Sequence, residues 1–128
     1  MSMFSHVVVG SNDLPRSQKF YDAVLGTLGA KPARTNNKKQ LVYAHKGCVF
    51  LVTAPLDGQP ATGANGGTIG FACENPGQVE AWHAAGIASG GTRCEDPPGV
   101  RDGSFGKLYL AYLRDPDGNK LCALHQIG

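Results

Sequence analysis

The chain has 128 residues and a formal net charge of +2, a length that fits one compact domain or two small halves sharing a core, because independent domains mostly run to ~100–150 residues. Composition is ordinary for a globular protein, 41% apolar and 17% charged; no basic stripe follows a phosphate backbone and no apolar run nears the ~20 residues that span a bilayer, so neither nucleic acid nor membrane is an expected partner. The start, MSMFSHVVVG, lacks both a basic leader with an apolar core and the Arg/Ser-rich character of a transit peptide, and the expected location is cytoplasmic.

The first β-branched run, Val7 to Val9, predicts a strand in which Phe4, His6 and Val8 share one face. Asn12-Asp13 with Pro15 in the first turn then starts a helix. Phe20, Tyr21, Val24, Leu25 and Leu28 recur along it at three- and four-residue steps, Arg16, Lys19 and Asp22 face away, and Gly29 stands at the C-terminal glycine position. Short extended runs follow at Ala30 to Arg34, Gln40 to His45 and Cys48 to Thr53, with Lys46-Gly47 as a hairpin turn.

At an offset of 62 residues the chain matches itself. HVVVGSNDLPRSQKFYDAV (His6 to Val24) lies against TIGFACENPGQVEAWHAAG (Thr68 to Gly86), pairing Asp13 with Asn75 and Phe20 with Trp82. The second helix has Pro76 at its first position and Gln78 placed for a capping box, with Val79, Trp82, His83 and Ile87 on one stripe. Gly86 interrupts it at a cost of ~1 kcal/mol against alanine. Extended runs follow at Gly91 to Glu95, Lys107 to Arg114 and Asn119 to His125, the last two joined by the turn Asp115-Pro116-Asp117-Gly118. Asp96 to Gly106, rich in Pro and Gly and without periodicity, is the candidate lid. Each half therefore reads β-α-β-β-β. The expected class is α+β, one domain over 1–128 with module one about 3–54, a Pro-, Gly- and Ala-rich linker at 55–66, and module two about 67–126. The four cysteines never approach a CxxC spacing and sit in or beside apolar runs, as free thiols in a reducing compartment would.

HVVVGSNDLPRSQKFYDAVLG (His6 to Gly26) resembles the opening strand, Asp-Leu cap and Phe-Tyr helix of the vicinal oxygen chelate superfamily, and LAYLRDPDGNKL (Leu110 to Leu121) resembles its closing hairpin. That superfamily contains glyoxalase I, bleomycin resistance proteins, extradiol dioxygenases, methylmalonyl-CoA epimerase and fosfomycin resistance proteins. The resemblance covers nearly the whole chain and implies two βαβββ modules whose curled mixed sheets, each with a helix, enclose a cleft. It also implies a homodimer and a small-molecule ligand. Metal-dependent members take ligands from the first and last strands of each module. Carried over, His6 matches the first position, Leu51 or its neighbour Phe50 stands where a Glu would be, Thr68 where a His would be, and Cys122 where the closing Glu would be. The resemblance thus implies a degenerate metal site with no cofactor expected, and a divalent cation (Zn, Ni, Mn or Fe) held through His6 as the alternative.

Three functions follow from that resemblance. One is a glyoxalase-like lyase with Cys122 and His6 as nucleophile or acid/base pair, which requires a lowered thiol pKa. Another is a metal-free protein that sequesters a drug or metabolite, its walls drawn from Phe50, Leu51, Thr68, Tyr109 and Tyr112, with Arg101 or Arg114 orienting a polar group. The last is a metal-dependent lyase, isomerase or dioxygenase with rearranged ligands. Whether the chain is an enzyme stays open at this point.

Overall fold

Two sheets of the same topology realise the repeat. The computed structural model describes residues 3–104 and 106–128. Module one contains β1 (His6–Gly10), α1 (Leu14–Gly26), β2 (Arg34–Thr35), β3 (Leu41–His45) and β4 (Cys48–Thr53); module two contains β5 (Ile69–Ala72), α2 (Pro76–Ala88), β6 (Thr92–Gly103), β7 (Gly106–Arg114) and β8 (Lys120–Gln126). The strand orders are β1-β4-β3-β2 and β5-β8-β7-β6. In each sheet the first strand pairs in parallel with the last, while the remaining ladders are antiparallel. The result is the expected α+β pair of four-stranded mixed sheets, each with a helix. Among the described residues no helix is long and apolar enough to cross a membrane.

Both helices start as their sequences dictate. Asp13 Oδ1 accepts the Arg16 N–H at 3.0 Å and Asn75 Oδ1 accepts the Gln78 N–H at 2.8 Å, each satisfying an orphan donor of the first turn. Gln78 reaches back one residue further than a capping box would, accepting the Glu74 N–H at 2.7 Å. They also end alike. Gly29 (φ 93°) and Gly90 (φ 103°) take the left-handed conformation after the last turn, and the next residue donates back to the sixth carbonyl, Ala30 to Leu25 and Gly91 to Gly86.

One continuous core joins the modules. Phe20, Tyr21 and Val24 of α1 are fully buried, as are Val79 and Trp82 of α2, and they cluster with Tyr43, Phe50, Val52, Leu113 and Leu121 from the helix-facing sides of the strands. The chain of rings Tyr21, Phe50, Phe71 and Trp82 crosses from one half to the other, with neighbouring centroids 4.9, 5.6 and 6.4 Å apart. Asp22, expected to face solvent, instead accepts the Tyr43 hydroxyl (2.7 Å) and the Ala33 N–H (3.0 Å), tying α1 to the chain that follows it.

Of the segment expected to be an aperiodic lid, Asp96 to Gly103 is strand, and residue 105 lies outside the described residues. β6 runs through Pro97 and Pro98 because its register against β7 jumps there, from Cys94 opposite Tyr112 to Gly99 opposite Leu110. The four residues Glu95 to Pro98 form a bulge, with Glu95 at φ 58°, on the outer strand of the sheet. Proline needs no ladder partner in that place. β2 is two residues, Arg34–Thr35, where the sequence predicts an extended run over Ala30 to Arg34.

Candidate ligand-binding site

β1 and β5 are edge strands of their sheets, and both line a cavity of about 520 Å³ between the modules. Its walls come from Val7, Leu25, Leu28, Tyr43 and Phe50 of module one and from Ile69, Phe71 and Cys73 of module two. These side chains pack on or belong to the shared core, so the cavity opens beside the core rather than across the outer faces of the sheets. Polar groups gather at its solvent-exposed rim: Ser5, His6, His45, Lys46, Glu74 and Gln78. Two bonds strap that rim from one module to the other. Lys46 Nζ lies 3.0 Å from Glu74 Oε1, and Gln78 Nε2 donates to the Thr27 carbonyl at 3.2 Å. The Lys46 ammonium holds the Glu74 carboxyl below its ordinary range. A drug-sized ligand fits a space of this volume and apolar lining.

The relative position of the halves is fixed elsewhere, by the Asp115-to-Asn119 turn. Asp115 is buried and its two oxygens take four donors: the Tyr21 hydroxyl (2.5 Å), the Asn119 side-chain amide (2.8 Å) and the Asp117 and Asn119 N–H groups (both 2.9 Å). The Asp117 side chain is fully inaccessible and accepts Arg16 Nη2 at 2.7 Å, the Asn12 N–H at 2.9 Å and the Ser17 hydroxyl at 3.1 Å. Asn119 also donates to the Gly10 carbonyl at 3.0 Å. Buried carboxylates are tolerated only with this degree of satisfaction. The turn of module two is thereby locked onto the β1–α1 junction of module one.

The residues expected to line the site fall into three places. His6 and Phe50 line the cavity. His6 is exposed, with Nδ1 2.8 Å from Ser5 Oγ, and Phe50 is buried among Tyr21, Tyr43 and Phe71. Tyr109 faces the helix side of its sheet, where its hydroxyl donates to Glu80 at 2.5 Å. The others lie away from the cavity. Leu51 pairs with Val8 on the helix-free face of sheet one, which makes Leu51 rather than Phe50 the residue sharing a face with His6. On the corresponding face of sheet two, Tyr112 pairs with Cys122 and Arg114 with Lys120. Thr68 is exposed just before β5. Arg101 Nη2 donates to the Pro97 carbonyl (2.8 Å) and Arg114 Nη1 to the Gly118 carbonyl (2.8 Å), so both guanidinium groups brace backbone within their own hairpins.

The chemistry of these groups is correspondingly limited. Burial pushes the Cys122 thiol up to about 11, only partly offset by its hydrogen bond with Tyr112. That is the reverse of what a nucleophile requires. Nearby, Lys120 pairs with Glu95, which raises its pKa, and lies 4.8 Å above the Tyr112 ring. A divalent cation does not fit the four family positions. His6 is the one good donor, Leu51 offers hydrocarbon, Thr68 an exposed hydroxyl and Cys122 a buried protonated thiol. Among the described residues no three His, Cys, Asp or Glu side chains gather as a metal-holding group.

Most of the cavity lining was not among the expected site residues. Tyr43 falls in an extended run, Cys73 in or beside an apolar run and Lys46 in a hairpin turn, and none of these signals marks a site residue. Periodicity reveals that a strand has two faces, but not that a cavity opens on the core side of both edge strands.

A family model described as Glyoxalase/Bleomycin resistance protein/Dioxygenase superfamily matches residues 3–123. Among solved structures, a glyoxalase/bleomycin resistance protein from Albidiferax ferrireducens T118 is 62% identical, with a TM-score of 0.94, covering 98% of this chain and 100% of that one. A putative glyoxalase from Bacillus halodurans (19% identity, TM-score 0.75, covering 97% and 96%) and a glyoxalase-related enzyme from Fulvimarina pelagi (18%, 0.73, 98% and 89%) share the fold. No protein with a curated description matches the chain.

Proposed function

We propose a binding function for this chain, which belongs to the Glyoxalase/Bleomycin resistance protein/Dioxygenase superfamily: it holds a small, largely apolar molecule in the cavity between its modules, as a sequestering protein without thiol or metal chemistry. The observation that carries this reading is the 520 Å³ apolar cavity itself, walled by side chains from both modules. Two further facts support binding over turnover. The Cys122 thiol is buried and held in its neutral form, and the positions that hold a cation in metal-dependent relatives carry Leu51, Thr68 and Cys122. The same reading includes a homodimer, supported by the apolar character of the helix-free faces, where Val8 is 46% exposed and Leu51, Tyr112 and Leu124 are partly so. A cytoplasmic location suits four free cysteines.

Ala30 provides the test. It lines the cavity and packs against the core on the same side as the walls, so Ala30→Phe puts a ring into the space. The only tryptophan, Trp82, stacks behind Phe71, a wall residue, at 6.4 Å, and reports occupancy through its fluorescence. Titration with the uncharged dye N-phenylnaphthylamine should give saturable binding to the wild-type chain and a loss of at least tenfold in Ala30→Phe. Equal binding to both proteins sinks the proposal.

A further inference from the structure

We infer that the cavity takes an anionic amphiphile, an apolar body within the walls and a carboxylate, sulfonate or phosphate group on Lys46 at the rim; this rests on the cavity-binding reading above. The interior fixes where the charge must go. Leu25, Leu28, Phe50 and Ile69 offer no polar group. The Tyr43 hydroxyl is already donated to Asp22, and the Cys73 thiol is buried. A charged end inside would be desolvated without a partner. It therefore stays at the rim.

The rim fixes its sign. Three nitrogen bases stand there, His6, His45 and Lys46, against a single carboxylate, Glu74. The N-terminal end of α2 adds its positive dipole end beside Gln78. Lys46 is held in place by the hairpin turn, at φ 49° with Gly47 at φ 80°. Its partnership with Glu74 joins side chains that are 67% and 68% exposed. An ion pair so open to water is weak and exchanges one acid for another readily. An incoming acid thus takes the place Glu74 occupies in the empty protein, whereas an incoming cation would find the one carboxylate already paired and the Lys46 ammonium opposing it.

The test compares two dyes of nearly the same apolar body, anilinonaphthalene sulfonate and uncharged N-phenylnaphthylamine, on the wild type, Lys46→Gln and Glu74→Gln, with thermal midpoints checking that all three are folded. Lys46→Gln should weaken the sulfonate about tenfold, Glu74→Gln should tighten it several-fold, and the uncharged dye should change less than twofold in either. Unchanged sulfonate affinity in Lys46→Gln, or equal losses for both dyes, overturns the assignment of the anion to Lys46 while leaving the cavity reading standing. Failure of both dyes to bind the wild type, or undiminished binding of both to Ala30→Phe, overturns the cavity reading and this inference with it.

Discussion

Replacing Gly86 by alanine sets two effects of opposite sign against each other. In an unpacked helix the change would stabilise by about 1 kcal/mol. In α2, however, the new Cβ would fall on Leu113 Cδ1, well inside van der Waals contact, and would lie 3.2 Å from Val24 Cγ1 and 3.5 Å from Phe20 Cε1. All three neighbours are fully buried, so Leu113 can yield only by repacking within the core. The methyl must push α2 away from α1 and from β7, and overpacking of that kind costs about 1–3 kcal/mol. With a part of it offset by propensity, we expect a net loss of about 1–2 kcal/mol, or roughly 4–7 °C in Tm for a chain of this size. Urea unfolding followed by Trp82 fluorescence measures it. Gly26→Ala is the control, because a Cβ there meets nothing within 4 Å at the exposed end of α1, and it should be neutral or stabilising. Wild-type or greater stability in Gly86→Ala would refute the close approach of the two helices and, with it, the way the modules share a core.

Asp117→Ala removes three hydrogen-bond acceptances, one of them charge-assisted, from a side chain with no solvent access, and should cost about 2–4 kcal/mol in urea denaturation; a loss below about 0.5 kcal/mol would mean the turn does not hold the modules together. Mass-spectrometric mapping after iodoacetamide treatment at neutral pH should find Cys48 modified first, Cys94 more slowly, and Cys73 and Cys122 only on unfolding, as their burial orders them; labelling of Cys122 at the rate of Cys48 would contradict its protected thiol. Light scattering should give twice the chain mass, and a strictly monomeric species at high concentration would remove the dimer from the proposal.

Much of the fold could be read from the chain because local signals agreed with global ones. The repeat at an offset of 62 residues, the Asp13 and Asn75 caps and the Phe20/Tyr21/Val24/Leu25 stripe each specify the same module, and the structure has all of them. Failures came where one residue serves two masters. Pro97 and Pro98 argue for loop in isolation, yet an outer strand with a bulge absorbs them. Gly86 looks like a weakness in a helix until Val24 and Leu113 are set against it. The candidate site was less legible still, since the expected cleft followed family positions on the helix-free faces, whereas the observed cavity depends on how far apart two edge strands stand. No spacing along the chain encodes that distance.

The Asp115-to-Asn119 turn has a bearing on how the protein is born. Ser17 and Tyr21 end in the dry interior with hydroxyls bonded to carboxylates nearly a hundred residues downstream, so as the nascent chain leaves the ribosome its first half exposes a helix whose polar anchors have not yet been translated. That half can collapse early but cannot finish. Completion waits for the hairpin that carries Asp115 and Asp117, making the two similar units one cooperative object.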